Sequence, residues 1–473
     1  MDRLDDAGND RSQPMEHGPA GDWSTVNSAD PATERSQRPA SPKRNAQPAR
    51  SMGLWEHVFS RDNVLRALQR VESNRGAPGV DGMTVEALRP WLRQHWNDIR
   101  RALHAGTYQP SPVRRVTIPK PDGGERELGV PTALDRLIQQ AIAQTLTPIF
   151  DPAFSPHSYG FRPGRSAHQA VRAARAFVVE GYTWVVDVDL ERFFDRVQHD
   201  VLMARVARKV GDRRLLRLIR RYLDAGVMVE GVKQATEEGT PQGSPLSPLL
   251  ANIMLDDLDR ELERRGHRFV RYADDVRVHV KTERAGQRVL AGITEFVQQR
   301  LKLRVNKVKS SVRHAVQAVV LGFGFYFRRT GAIAIRVAPK ALVRMHERVR
   351  RLTGRNWRIA MPRRIELLNR FVTGWCAYFA LAETPSTFEE ADERLRRRLR
   401  QVRWKEWKRP RARIRNLLAL GIPRAKAIEW GLSSKGYWRL AGSAPLQRAL
   451  PTRYWQDIGL HGFATTWRRL RIT

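Results

Sequence analysis

A chain of 473 residues with 84 Lys and Arg against 49 Asp and Glu carries a formal net charge of +35, which implies a polyanionic partner. Its single cysteine, Cys376, excludes disulfides and Cys-based zinc sites and fits a reducing cytoplasm. No apolar run approaches the roughly 20 residues that span a bilayer, and the N-terminus lacks the basic-then-apolar pattern of an export signal, so a cytoplasmic protein of about two to four domains is expected.

Residues 1–52 hold 8 acids, 7 bases and six prolines with almost no apolar periodicity and read as a disordered leader, since nothing there offsets ordering entropy. From Leu54 the spacing turns helical, with Leu54, Val58, Val64, Leu65, Leu68 and Val71 expected on one face. Gly79 to Gly82 make a turn, and Thr84 caps a helix that begins near Val85. Val116 to Pro119 and Leu128 to Val130 flank Asp122-Gly123-Gly124, a hairpin signal. A helix is predicted from about Ala133 to Phe150, a strand over 183–189, and a helix from about Asp200. A second strand pair surrounds Ala273-Asp274. From about Pro339 the chain reads as all-helical, punctuated by Pro362, Pro385, Pro410 and Pro423. Residues 331–473 hold 32 Lys and Arg against 10 Asp and Glu, and 8 of the 13 Trp.

The most informative stretch is Arg271-Tyr272-Ala273-Asp274-Asp275, with Val276, Val278 and Val280 after it. Two adjacent carboxylates at the tip of a tight hairpin repel each other. A divalent cation removes that penalty, because hard Mg²⁺ is held by one or two carboxylates plus substrate phosphates. A third acid ends the β-rich run Trp184-Val185-Val186-Asp187-Val188-Asp189. Strands that bring Asp189, Asp274 and Asp275 together form a two-metal site, which clamps the attacking and leaving oxygens of an in-line phosphoryl displacement. Lys120 and Arg126 stand on opposite sides of the first hairpin turn and by themselves read as two exposed cations, Lys a point charge and Arg a bidentate fork.

At this point the residues resemble a family. Arg271 to Asp275, preceded by Gly239-Thr240-Pro241-Gln242-Gly243-Ser244-Pro245-Leu246-Ser247-Pro248, is similar to the core of group II intron reverse transcriptases. The likeness runs in the family's order through Asn74 to Gly82, Ile118-Pro119-Lys120-Pro121, Ser158 to Ser166, Leu303 to Ser310 and Leu321-Gly322-Phe323. Gly374-Trp375 with Tyr378-Phe379 resembles the family's maturase domain.

The resemblance implies an α+β fold: a right-hand polymerase with fingers and an RRM-like palm, then an all-helical thumb and a helical, basic, DNA-binding end. The implied divisions are the leader 1–52, an N-terminal extension of the fingers 53–112, fingers and palm 113–330, thumb and maturase domain 331–402, and a DNA-binding region 403–473. It places Asp189, rather than Asp187, at the first catalytic acid. Asp187 shares a strand face with Asp189 and becomes an outer neighbour of the site. Two Mg²⁺ ions, replaceable by Mn²⁺, would be held by Asp189, Asp274, Asp275 and the Leu190 carbonyl. For the deoxynucleotide, the resemblance implies Lys120 and Arg126 at the triphosphate, Phe194 beneath the sugar, Gln242 beside the nucleotide or templating pair, and Lys309 near the leaving pyrophosphate. Phe193 is expected in the core.

Arg162 and Arg165 are expected on the template backbone. Like charges crowd at Arg394, Arg396, Arg397, Arg398 and Arg400, followed by Trp404-Lys405-Glu406-Trp407-Lys408. Such density is destabilising unless phosphates neutralise it, so Arg396, Arg397, Arg398, Arg400, Lys405 and Lys408 are expected on nucleic acid. The sequence departs from the family at Glu127, Ser244, Arg277 and His279, the last two making one strand face more polar.

The expected function is RNA-directed DNA synthesis together with intron-RNA binding that assists splicing and retrohoming. The partners would be the intron RNA, an RNA template with DNA primer, target DNA and deoxynucleotides, in a bacterial cytoplasm. After Cys376 there is no cysteine and one histidine, His461, so no HNH-type nuclease is expected. Two rivals stand beside this reading: a domesticated or defence-type reverse transcriptase, and a polymerase-inactive RNA-binding splicing factor. The maturase-like end argues against the first, and the Asp triad with Lys120, Arg126 and Phe194 against the second.

Overall fold

A computed structural model of the chain describes residues 53–119, 124–229, 232–234, 239 and 243–472. The leader 1–52, Lys120 and Gln242, and the side chain of Arg126, lie outside the described residues.

The described residues begin with three helices: α1 (Leu54–Val58), α2 (Arg61–Asn74) and α3 (Val85–Ala105). Thr84 caps α3 by accepting from the Ala87 amide. The buried face of α2 is Asn63, Ala67, Leu68 and Val71, not the full apolar set. Leu65 is exposed, and Asn63 takes an interior place because its amide donates to the carbonyls of Val58 and Ala141. The hairpin β1 (Val113–Pro119) and β2 (Glu125–Val130) follows, then α4 (Ala133–Phe150), α5 (Ala167–Val179), β3 (Trp184–Val188), α6 (His199–Val206) and α7 (Arg213–Asp224). Next come β4 (Val227–Val229), β5 (Val232–Gln234), α8 (Ser247–Arg264), β6 (Arg268–Tyr272), β7 (Asp275–Val280), α9 (Glu283–Arg300) and β8 (Ser311–His314).

The first sheet has the order β2-β1-β4-β5. The second, β6-β7-β3-β8, is antiparallel throughout and carries the acidic motif. Its alternation sends the two faces into different cores. Val186, Val188, Val276, Val278 and Phe269 join the core formed with α1 to α4 and α6 to α9. Val185 and Val270 join a second core built with α5 and the C-terminal helices. The register pairs Asp187 with Arg277 and Val185 with His279, so these polar residues occupy the second face. The alternation over 276–280 is as expected, but Arg277 and His279 are both buried.

A third sheet joins β9 (Val319–Val320), β10 (Phe323–Phe327) and β11 (Ile333–Val337). Strand β11 therefore lies past the expected division at residue 330. Helices α10 (Pro339–Leu352), α11 (Met361–Tyr378) and α12 (Pro385–Glu406) follow, then α13 (Pro410–Ala419), α14 (Arg424–Gly431), α15 (Tyr437–Ala441), α16 (Ala444–Ala449), α17 (Thr452–Asp457) and α18 (Phe463–Ile472). The division expected after residue 402 falls inside α12. Leu395 and Leu399 of α12 share one core with Trp455, Phe463 and Trp467, and Asp392 caps α18 by accepting from the Phe463 and Ala464 amides at 2.6 and 3.0 Å. No helix among the described residues is long and apolar enough to cross a membrane.

Burial pushes the His279 imidazole down to about 4. A base whose folded value lies below its unfolded value of about 6.5 is bound to fewer protons when folded, so its neutral burial favours folding above that pH and loses effect as pH falls toward 4. Wild-type stability should therefore drop by about 3 kcal/mol more than that of His279→Leu between pH 6.5 and 4. Denaturant melts of both proteins across this window check it; parallel decline would contradict it.

Candidate active site

Ala273 and Asp274 form the two-residue turn between β6 and β7, with Tyr272 paired to Asp275 across it. Ala273 takes a left-handed backbone, φ 59°, a conformation that costs an L residue energy and is kept where surroundings over-determine it. Here the surroundings do so. Arg271, fully buried, gives a bidentate pair to Asp259 of α8 at 2.7 and 2.6 Å. Its remaining terminal nitrogen donates to the Ala273 carbonyl and to Asn252 Oδ1, each at 2.9 Å. Asn252 Nδ2 in turn donates to the Gly160 carbonyl. The segment before Gly160 lies along β6, with Tyr159 N donating to the Arg271 carbonyl at 2.8 Å. A Cβ on Gly160 would stand 2.2 Å from the Ala273 nitrogen, so only glycine admits this approach.

The last paired couple of β3 and β7 is Val188 with Val276. One residue further out on each strand stand Asp189 and Asp275, with Asp274 at the turn beside them. Asp189 is anchored through its backbone: its amide donates to Ser310 Oγ, and its carbonyl accepts from Asn306 N at 2.8 Å. Leu190 faces Val305 in an isolated bridge whose two hydrogen bonds run through the neighbours, Asn306 to Asp189 and Glu191 to Arg304. The bridge thus leaves Leu190's own carbonyl unspent.

Arg277 reaches both strands on this face, with terminal nitrogens 3.5 Å from Asp187 and 3.6 Å from Asp275. Burial raises the Asp187 carboxyl above its usual range; Arg277 and Arg313 oppose this, and the Asp275 and Asp189 charges add to it. Among the described residues no three Asp, Glu, His or Cys side chains converge as a ready metal cage. The donor chemistry nonetheless suits a hard divalent cation: carboxylates from two adjoining strand ends with a carbonyl beside them.

The other expected site residues divide. Phe193 and Phe194 are both buried in the first core, their rings edge to face with centroids 5.1 Å apart. Lys309 is exposed in the turn that leads to Ser310. Arg162 is not a surface contact. Its side chain is 5% exposed, pairs with Asp151, and donates to the carbonyls of Asp151, Ser155 and Ser158. Arg165 lies half-buried over the Tyr159 ring. Arg398 is turned toward α10, donating to Thr353 Oγ1 and the Arg350 carbonyl, and Arg400 is buried with Nε on the Ala441 carbonyl. Arg398 is thus spent on packing α12, and Arg400 is anchored to α15 through Nε. Arg396 and Arg397 are half-buried, Lys405 bonds Asn356, and Lys408 is exposed.

The sequence reading missed Asn252, Asp259 and Gly160, and gave Arg271 no role. A signal existed: Asn252 and Asp259 lie on the buried face of a largely apolar helix at heptad spacing, where polar residues need partners.

Two stretches of the chain match known protein families. Residues 118–325 match the family described as reverse transcriptase (RNA-dependent DNA polymerase). This stretch is therefore similar to reverse transcriptases. Residues 342–421 match the family described as group II intron, maturase-specific domain. Protein YkfC of Escherichia coli K12 is 42% identical over 199 residues, covering 41% of this chain and 52% of that protein. The group II intron-encoded protein LtrA of Lactococcus lactis is 30% identical over 346 residues, covering 59% and 57%. The chain thus spans about half the length of the curated relatives it matches. A solved chain of a partial Cas6-RT-Cas1–Cas2 complex is 27% identical, covering 55% of this chain and 45% of that one, with a TM-score of 0.35.

Removing one partner of a fully buried ion pair leaves an uncompensated charge, at a cost of about 3–5 kcal/mol. Asp259→Leu and Arg271→Leu should each lose about that much stability, and the double variant less than the sum of the two. Urea melts of the three proteins measure this; strict additivity would show that the pair does not hold the turn.

Proposed function

We propose that this chain is an RNA-directed DNA polymerase that also serves as an intron maturase, binding group II intron RNA to assist splicing and retrohoming. The observation that carries the reading is the β3–β7 register, which sets Asp189 beside Asp275 with Asp274 at the adjoining turn. It lies within the stretch that matches reverse transcriptases. In this reading the second sheet is the RRM-like palm of a right-hand polymerase, the first hairpin belongs to the fingers, and α10 to α12 form the thumb.

Asp189, Asp274, Asp275 and the Leu190 carbonyl would hold two divalent cations, of which Mg²⁺ is the natural candidate. When bound, these supply the charge that stabilises the in-line displacement. The chain's own residues position the reactants, since phosphoryl transfer needs little covalent help. Lys120 and Arg126 grip the triphosphate, Gln242 lies against the nucleotide, and Lys309 holds a proton at Nζ for the leaving pyrophosphate. Phe194 lies beneath the deoxyribose and excludes a 2′-hydroxyl by shape. Arg165, Arg396, Arg397, Lys405 and Lys408 carry the phosphate contacts with RNA template, DNA primer, target DNA and intron RNA. Arg162 and Arg398 support the surfaces from which those contacts reach.

The test separates synthesis from RNA binding. Purified protein should extend a DNA primer on an RNA template with Mg²⁺ or Mn²⁺. Asp274→Ala/Asp275→Ala should lower the rate by several orders of magnitude, since the main charge stabiliser is lost. The same variant should still assist splicing, which is RNA chemistry aided by binding. Full extension by the double variant would refute the assignment of the acids.

A further inference from the structure

We infer that Arg396, Arg397 and Arg400 form a binding pocket for a phosphate oxyanion of a nucleic acid, on the flank of α12 and separate from the carboxylate site. The three guanidinium groups line a pocket of about 510 Å³ whose other walls include Glu393, Gly442 and Thr452. Two of them are held in place before any ligand arrives. Arg397 lies over the Trp438 ring, 4.1 Å from its centroid, and donates to the Trp438 carbonyl. A Cβ on Gly442 would meet the Arg397 guanidinium at 2.9 Å, so the glycine is what lets this group lie flat against the backbone. Arg400 is tied by Nε to the Ala441 carbonyl at 2.9 Å.

Charge is the unresolved quantity in this pocket. Some buried guanidiniums meet carboxylates, as Arg271 and Arg162 do, whereas Arg136 and Arg364 are held by carbonyls. Among the described residues no ion pair within 4 Å involves Arg396, Arg397 or Arg400, and Glu393 stays at the exposed rim. The crowding is felt: burial first, and then the Arg396 and Arg397 charges, push the Arg400 guanidinium down to about 10. Like charges arranged without a carboxylate in ion-pair contact, the Asp392 charge acting on Arg396 only at longer range, are stabilised by an external anion. The planar fork of Arg matches phosphate oxygens bidentately.

A volume of this size admits a phosphate with its sugar rather than an isolated ion. Trp438 is 45% exposed although Arg397 covers one of its faces, and a free aromatic face beside a phosphate suits base stacking. The inference deepens the RNA-binding part of the proposed function and does not depend on polymerisation.

Thermal unfolding of the full chain in inorganic phosphate, against chloride at equal ionic strength, is the first test. Phosphate should raise the melting temperature of the wild type. It should do so much less for Arg396→Glu, a half-exposed position whose replacement spares the packed arginines, and for Arg397→Gln. Equal protection by both salts, or protection undiminished in both variants, would overturn the pocket. Should that occur while wild-type primer extension is intact, the polymerase reading would stand alone. The second test titrates one RNA oligonucleotide carrying either a 5′-phosphate or a 5′-hydroxyl. Binding tenfold tighter with the 5′-phosphate, lost in Arg396→Glu, assigns the pocket to a strand end. Equal binding of both, weakened at least tenfold by Arg396→Glu, assigns it to an internal diester. Affinity for both RNAs unchanged by either substitution would contradict the proposal.

Discussion

A single buried ion pair, Arg271 with Asp259, underlies the arrangement of the acidic site. A guanidinium removed from water is costly unless every donor finds an acceptor. Each of the three Arg271 nitrogens finds an acceptor, in the Asp259 carboxylate, Asn252 Oδ1 and the Ala273 carbonyl. The last contact matters most for function. It ties the turn bearing Asp274 to the rigid helix α8, and the left-handed backbone at Ala273 persists because its carbonyl is held. The close approach of Gly160 covers the turn from the other side.

Around this clamp the second sheet divides the molecule's interior. One face, rich in Val, belongs to the first core. The other places Asp187, Arg277 and His279 toward the core shared with the C-terminal helices. Arg277 is thus a cation already built into the acidic face. It sits within ion-pair distance of Asp187 and Asp275 and offsets part of their mutual repulsion. Acids that would be intolerable on adjoining strand ends are tolerable with this neighbour, and more so with an added divalent cation.

Most of the architecture was legible because it rests on local signals. Thr84 as a cap and the Ala133–Phe150 helix follow from capping chemistry and periodicity, and the strand expected over 183–189 is observed as Trp184–Val188. Adjacent carboxylates in a β-rich run pointed to a cation site at Asp274 and Asp275, and the strand register brings Asp189 beside Asp275. What escaped were long-range pairings. Nothing local says that Arg271 reaches Asp259, or that Arg162 turns inward to Asp151 while Arg165 remains half-buried over Tyr159. The cluster on α12 shows the same limit. A run of arginines reads as one basic face, yet helical geometry sends Arg398 to α10 and gathers Arg396, Arg397 and Arg400 around another pocket. The division after residue 402, carried over from the resemblance, falls inside α12, and apolar contacts run across it.

The central claim is that the ends of β3 and β7, fixed by the Arg271 clamp, form a divalent cation site. Direct titration of the intact chain with Mn²⁺, followed by electron paramagnetic resonance, reads this without any nucleic acid. Wild-type protein should bind the ion, Asp274→Asn/Asp275→Asn should lose at least tenfold in affinity, and both should unfold at comparable temperatures. Equal Mn²⁺ binding by the wild type and the double variant would contradict the account.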